Sequence, residues 1–183
     1  MSKTTYDSVI YAGIFLTDES KELVKKSFGF GTRQDNDVPV TWYGHHVTLA
    51  FRPTNYYLHL VHQYIGQTVD INPKRYIRDI NCSCVTVDTE LTRDLFTGRS
   101  MHITICTWDN KNLAKEGNCV GPSYSNDLIL MDKFNDENVL ESVNLGVTQE
   151  LKGVVGVYTS TLKEVTDPAQ LLPGTIEEVG NVS

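Results

Sequence analysis

The sequence has no CxxC pair, no apolar run near the roughly 20 residues needed to span a bilayer, and no basic stripe. Each absence removes a class of protein. Its four cysteines, Cys82, Cys84, Cys106 and Cys119, lack the paired spacing of a structural zinc site, and with no export signal in view they are expected to stay reduced thiols. The first residues do not follow the basic, apolar, small-residue order of a signal peptide. A soluble cytoplasmic protein without a membrane partner is therefore expected. Only 16 Lys and Arg stand against 23 Asp and Glu, a net charge of −7. That balance disfavours sequence-blind adhesion to duplex DNA, which replaces counterions along the phosphates with many basic side chains. A small or short phosphate ligand stays open, and nothing sets an oligomeric state.

What is present is an ordinary globular composition, 40% hydrophobic and 21% charged over 183 residues, enough for a sizeable core. Residues 8–16 are apolar at nearly every position and predict a central strand covered on both faces. Thr17 or Asp18 then offers an N-cap. Asp18 and Glu19 suit the positive start of a helix, Lys25 and Lys26 its negative end, and Gly29 a stop, so residues 17–28 read as helix. Residues 38–51, much of 65–89, 100–108, 127–132 and 151–159 read as strands. Residues 55–65 mix helical spacing with alternation and are assigned to helix, while 29–37 and 109–121 are polar loops. The pattern is α+β, with one domain over residues 1–165 and a peripheral tail over 166–183.

One short pattern occurs twice: His46-Val47-Thr48-Leu49 and His102-Ile103-Thr104-Ile105. Residues two apart on a strand share a face, so each copy presents a His and a Thr together while its apolar residues enter the core. Any one His begins such a pattern by chance roughly 2–3% of the time, and two among five His do so in about one sequence in a hundred. Two imidazoles facing one cleft suit phosphodiester cleavage. One, neutral, takes a proton from the attacking water or ribose hydroxyl; the other, protonated, gives one to the departing oxygen. The threonine hydroxyls can hold the charge on nonbridging oxygens, and no metal or other cofactor is needed.

Paired motifs of this kind are the hallmark of the 2H phosphoesterase superfamily. It includes RNA cyclic phosphodiesterases of the LigT type, fungal tRNA-ligase phosphodiesterase domains, 2′,5′-oligoadenylate phosphodiesterases and viral anti-CBASS enzymes. The chain resembles a compact member, from its first strand to about Thr159. It resembles in particular a branch with viral and tRNA-ligase-like members. The likeness is carried by Tyr43-Gly44-His45-His46-Val47-Thr48-Leu49-Ala50-Phe51, by Met101-His102-Ile103-Thr104-Ile105 and by Pro122-Ser123-Tyr124-Ser125-Asn126. The resemblance implies a bilobal LigT-like fold, two antiparallel sheets facing a central groove, with His46, Thr48, His102 and Thr104 catalytic. The motifs lie closer together than in the LigT type, so loops that shape substrate choice are expected to be trimmed.

Near the motifs, Tyr43, Arg52, Arg99, Tyr124, Ser125 and Asn126 are the expected substrate-binding residues: guanidinium groups for phosphate, aromatic rings for a base. Trp108 is a further stacking candidate, and Lys111 and Lys115 lie in a loop near the groove. His45 should point away from His46 on a regular strand and is read as a structural or rim residue; His59 and His62 are read as surface residues. The expected activity is metal-independent cleavage of a phosphodiester next to a ribose 2′ or 3′ oxygen. The favoured substrate is a small cyclic or 2′,5′-linked nucleotide signal such as a cyclic dinucleotide, as in a viral protein acting against host defence in the cytoplasm. The alternatives are a 2′,3′-cyclic phosphate at an RNA end, a nucleotide-binding module without catalysis, and a zinc hydrolase built from His45, His46 and cysteines. Which His is acid and which base is left open.

Overall fold

A computed structural model describes residues 2–29, 40–90, 95, 100–108, 120–146 and 149–174. The elements are β1 (Thr4–Thr5), β2 (Val9–Leu16), α1 (Asp18–Phe28), β3 (Val40–Trp42), β4 (His46–Phe51), α2 (Asn55–His62), β5 (Thr68–Arg78) and β6 (Cys82–Asp88). They continue with β7 (His102–Trp108), α3 (Tyr124–Lys133), β8 (Glu141–Asn144), β9 (Leu151–Thr159), β10 (Lys163–Val165) and β11 (Leu171–Leu172). Thr17 caps α1, its side chain accepting the Ser20 N–H, and Thr54 caps α2 by accepting from Tyr57 N–H. Residues 127–132 are helical rather than the expected strand. The run Leu128-Ile129-Leu130 looks two-sided in sequence, yet Leu130 is exposed while Ser125 and Leu128, three apart, are fully buried on one helical face. The polar strand β8, which the sequence pattern does not announce, lies along β5. Part of the expected tail is packed: β11 pairs in parallel with β1, and Leu171 is fully buried.

The α+β class is as expected, but the strands do not form two separate sheets. Six of them close on themselves in the order β9-β2-β4-β7-β6-β5, with β5 returning to β9; β10, β3 and β8 join this ring, and every pairing in it is antiparallel. The ring divides into two three-stranded halves, β9-β2-β4 and β5-β6-β7. They meet at the β5–β9 seam and at β4–β7, where Val47 pairs with Ile103. That pair is the same position in each motif. Each motif strand also carries a bulge at its fourth motif residue, since Gly13 and Ala12 of β2 pair with Thr48 and Ala50, skipping Leu49, while Cys84 and Ser83 of β6 pair with Thr104 and Cys106, skipping Ile105. Gly13 is required at the first bulge: a Cβ there would lie 2.6 Å from the Val47 carbonyl oxygen.

Val47, Leu49, Ile103 and Ile105 are all fully buried in the main core with Ile14, Val85 and Val155. A smaller cluster under α3 holds Cys82 and Cys84 with Ile77 and Leu128. Burial there pushes both thiols far above their ordinary range, which suits packing rather than reactivity.

Candidate active site

The antiparallel register fixes the site. With Val47 opposite Ile103, one residue outward on each side sets His46 against Thr104 and Thr48 against His102, all four on the face opposite the core. They open into one cleft of about 800 Å³ whose other lining residues include Tyr11, Tyr43, His45, Phe51, Ser100, Ser125 and Asn126. No Lys, Arg, Asp or Glu lines it among the described residues. Polar contact is left to imidazoles, hydroxyls and one amide.

The two imidazoles have different neighbours. His46 Nδ1 lies 2.6 Å from His45 Nδ1, the two rings meeting edge to edge with their planes 25° apart, while Tyr11 stacks on the His46 ring at 4.9 Å and in turn on Tyr158. Among the described residues the His46 Nε2 has no hydrogen-bond partner. His102 is held by polar groups instead: Nδ1–H donates to the Ser100 carbonyl at 2.7 Å, and Nε2 lies 2.7 Å from Ser125 Oγ. Ser125 Oγ is also 2.9 Å from Thr104 Oγ1 and 2.8 Å from the Pro122 carbonyl. Ser125 has one hydroxyl hydrogen. When it points to Pro122, the bond to His102 requires an Nε2–H and hence an imidazolium; when it points to Nε2, His102 is neutral. Both charge states of His102 are therefore hydrogen-bonded.

Burial, and then the positive charges of His45 and His102, hold His46 down to about 3, so it is neutral at pH 7. Burial also lowers His102, against the raising effect of its bond to Ser100. His45 is lowered by burial and by Lys21, with Glu164 acting the other way.

Of the expected substrate-binding residues, Tyr43, Ser125 and Asn126 line the cleft and Arg52 and Tyr124 do not. Arg52 follows the end of β4 with a left-handed φ of 49°, and its guanidinium sits over the Phe51 ring. Tyr124 braces α3 instead. Its hydroxyl donates to Asp79 at 2.6 Å, with burial and that carboxylate pushing the phenol up to about 12. Arg99, Lys111, Lys115 and Cys119 fall outside the described residues, and Trp108 is buried beneath Arg78. His59 and His62 bind the packed tail through the Gly174 and Pro168 carbonyls. Cys82 and Cys84 are buried under α3, and among the described residues no group of three His, Cys, Asp or Glu is placed to hold a metal ion.

His45, Phe51, Tyr11 and Ser100 are among the cleft residues not expected to bind substrate. His45 precedes the regular part of β4. Residues 40–42 pair with β7, Gly44 turns at φ +61°, and the His45 carbonyl accepts from Leu16 N–H on β2, so the chain changes partner at His45 and alternation does not apply. Phe51 is shifted by the Leu49 bulge from the core face to the open one and is 64% exposed. Tyr11 looked like an ordinary core residue of β2.

No protein-family model matches this chain, and no curated protein matches it. Among solved structures it is similar to one described as the crystal structure of a fungal RNA kinase, at 14% identity and a TM-score of 0.44. The alignment covers 80% of this chain and 45% of the other, so this chain spans less than half of that relative's length.

Proposed function

We propose that the protein is a metal-independent phosphodiesterase of the 2H type, with His46 as general base, His102 as general acid and Thr48 and Thr104 as donors to the phosphate. One observation carries this reading: the two His-x-Thr strands pair about Val47–Ile103, so that each His stands across the seam from the other motif's Thr. A phosphodiester seated over that seam has an imidazole on either side and a hydroxyl on either side. His46, neutral with Nε2 open, takes the proton of an attacking water or ribose hydroxyl as the new P–O bond forms. His102, as imidazolium, delivers its Nε2 proton to the departing ribose oxygen as the old bond breaks. The threonine hydroxyls donate to the nonbridging oxygens, where charge gathers. The phosphate anion itself favours a charged His102, opposing the burial that lowers it.

The cleft volume falls in the range of roughly 300–1,000 Å³ usual for small-molecule sites. Its lining carries no fixed positive charge among the described residues. That volume suits a small cyclic or 2′,5′-linked nucleotide, the substrate we favour over an RNA end. Phe51, exposed at the cleft, is a surface on which a base can stack.

The test is a turnover panel of cyclic dinucleotides, 2′,5′-oligoadenylate and 2′,3′-cyclic nucleotides, run with and without chelator. Turnover of the first two groups that survives chelator is expected. Loss with chelator overturns the metal-free mechanism, turnover of 2′,3′-cyclic ends alone reassigns the substrate, and binding without any turnover leaves a nucleotide-binding module.

A further inference from the structure

The His45–His46 contact joins two like atoms. Both are Nδ1, they lie 2.6 Å apart, and a hydrogen bond between them needs one as donor and the other as acceptor. Two arrangements satisfy it. In one, His46 donates from Nδ1–H and keeps its Nε2 lone pair; in the other, His45 donates and His46, if neutral, must carry its proton on Nε2, where it cannot act as a base. The assignment of His46 as base requires the first. His46 is far more easily neutral than charged, and a neutral ring whose Nδ1–H is already bonded presents Nε2 bare. When Nε2 then takes a proton, the Nδ1–H becomes a charged donor to His45, a stronger bond than the neutral one. Tyr11 packs on a face of the His46 ring at 4.9 Å, and His45 meets the ring at its Nδ1 edge.

We propose that His45 is a positioning residue: its Nδ1 accepts from His46 Nδ1–H and so holds His46 in the tautomer whose Nε2 is free to accept a proton. This rests on the assignment of His46 as base. Among the described residues the charged or titratable groups facing the pair are Glu164, which favours a proton on His45, Lys21, which disfavours it, His102, which disfavours one on His46, and the phenols of Tyr11 and Tyr43, whose rings pack against His46 and His45. The backbone supplies the means, since the partner change at Gly44–His45 brings two consecutive side chains into the same cleft.

The experiment reads tautomer and rate separately. In the full chain, nitrogen-15 NMR of the imidazoles at neutral pH should find His46 protonated at Nδ1 and bare at Nε2. In His45→Phe, which keeps a ring and removes the acceptor, His46 should shift toward Nε2–H, and kcat should fall on the order of 10- to 100-fold with little change in KM. His45→Asn, which restores an acceptor oxygen, should recover part of kcat. An Nε2–H tautomer of His46 in the unaltered protein overturns the proposal, as does a His45→Phe variant with unchanged tautomer and kcat. If His45→Phe does not fold, the tautomer in the unaltered protein decides alone. If no phosphodiester is turned over, the assigned function falls while the NMR result still judges the hydrogen bond.

Discussion

The two halves of the ring share a backbone design and differ in what surrounds it. Each offers a motif strand with the same central pairing residue and a bulge at the same motif position. Around that matched frame, the His46 side is aromatic, with His45 at the Nδ1 edge and Tyr11 on a ring face, whereas the His102 side is polar, with Ser100, Ser125 and Pro122 supplying oxygens. A symmetric frame by itself presents two equivalent imidazoles to one cleft. On the proposed reading their neighbours make one the base and the other the acid: burial and nearby positive charge disfavour a proton on His46, and a hydroxyl with two possible orientations accommodates either charge on His102.

The most drastic way to break the comparison is to delete each imidazole in turn. His46→Ala and His102→Ala should each lower kcat by about 10²–10⁴, with ligand binding measured in parallel by calorimetry to separate chemistry from capture. A substrate with a very good leaving group should rescue His102→Ala and leave His46→Ala slow; equal rescue of both would contradict the division of labour. Ser125→Ala removes the swivelling hydroxyl from one side only. It should cost roughly tenfold in kcat and shift the alkaline limb of the rate profile, while the same profile's acid limb stays in place. The unaltered protein should itself show a bell-shaped kcat/KM against pH, with its maximum below 6.5, the ordinary value from which both imidazoles are lowered. Activity falls above the maximum as His102 loses its proton. A profile flat between about pH 5 and 9 would remove the acid–base pair from the mechanism.

The smallest effect concerns stability. His46 binds its proton less readily folded than unfolded, so its contribution is complete above about pH 6.5 and is lost as pH falls toward about 3. Thermal melts of the unaltered protein should therefore soften across that window more than those of His46→Asn.

Much of the frame could be read from residue order. Alternation in 46–49 and 102–105 placed the four polar side chains correctly on one face of their strands, and the capping pattern from Thr17 to Gly29 gave α1 almost to the residue. The misreadings of Phe51 and His45 have a common origin: they depend on pairing, which a single strand does not display. A bulge exists only between two strands, so the alternation that puts Val47 and Leu49 in the core would put Phe51 there too, whereas it stands exposed at the cleft. The change of partner at Gly44–His45 likewise defeated the alternation that sent His45 to the far side. Gly44 was the one local signal of it, a residue suited to the left-handed turn found there. Tyr124 shows a different limit, because a tyrosine beside a motif can meet a ligand or brace a helix, and only Asp79, far away in sequence, decides for the brace.

The ring is also thinnest directly beneath the cleft. One ladder pair joins β4 to β7, against four between β5 and β9 and seven between β2 and β9. On one side of that pair the junction continues, with Tyr43 N–H donating to the Ile105 carbonyl, Gly44 N–H to the Thr104 carbonyl, and β3 pairing with β7 at three positions. On the other side, where Thr48 stands against His102, no ladder pair follows among the described residues, so the floor of the cleft is fastened at its His46–Thr104 end and unfastened at its Thr48–His102 end.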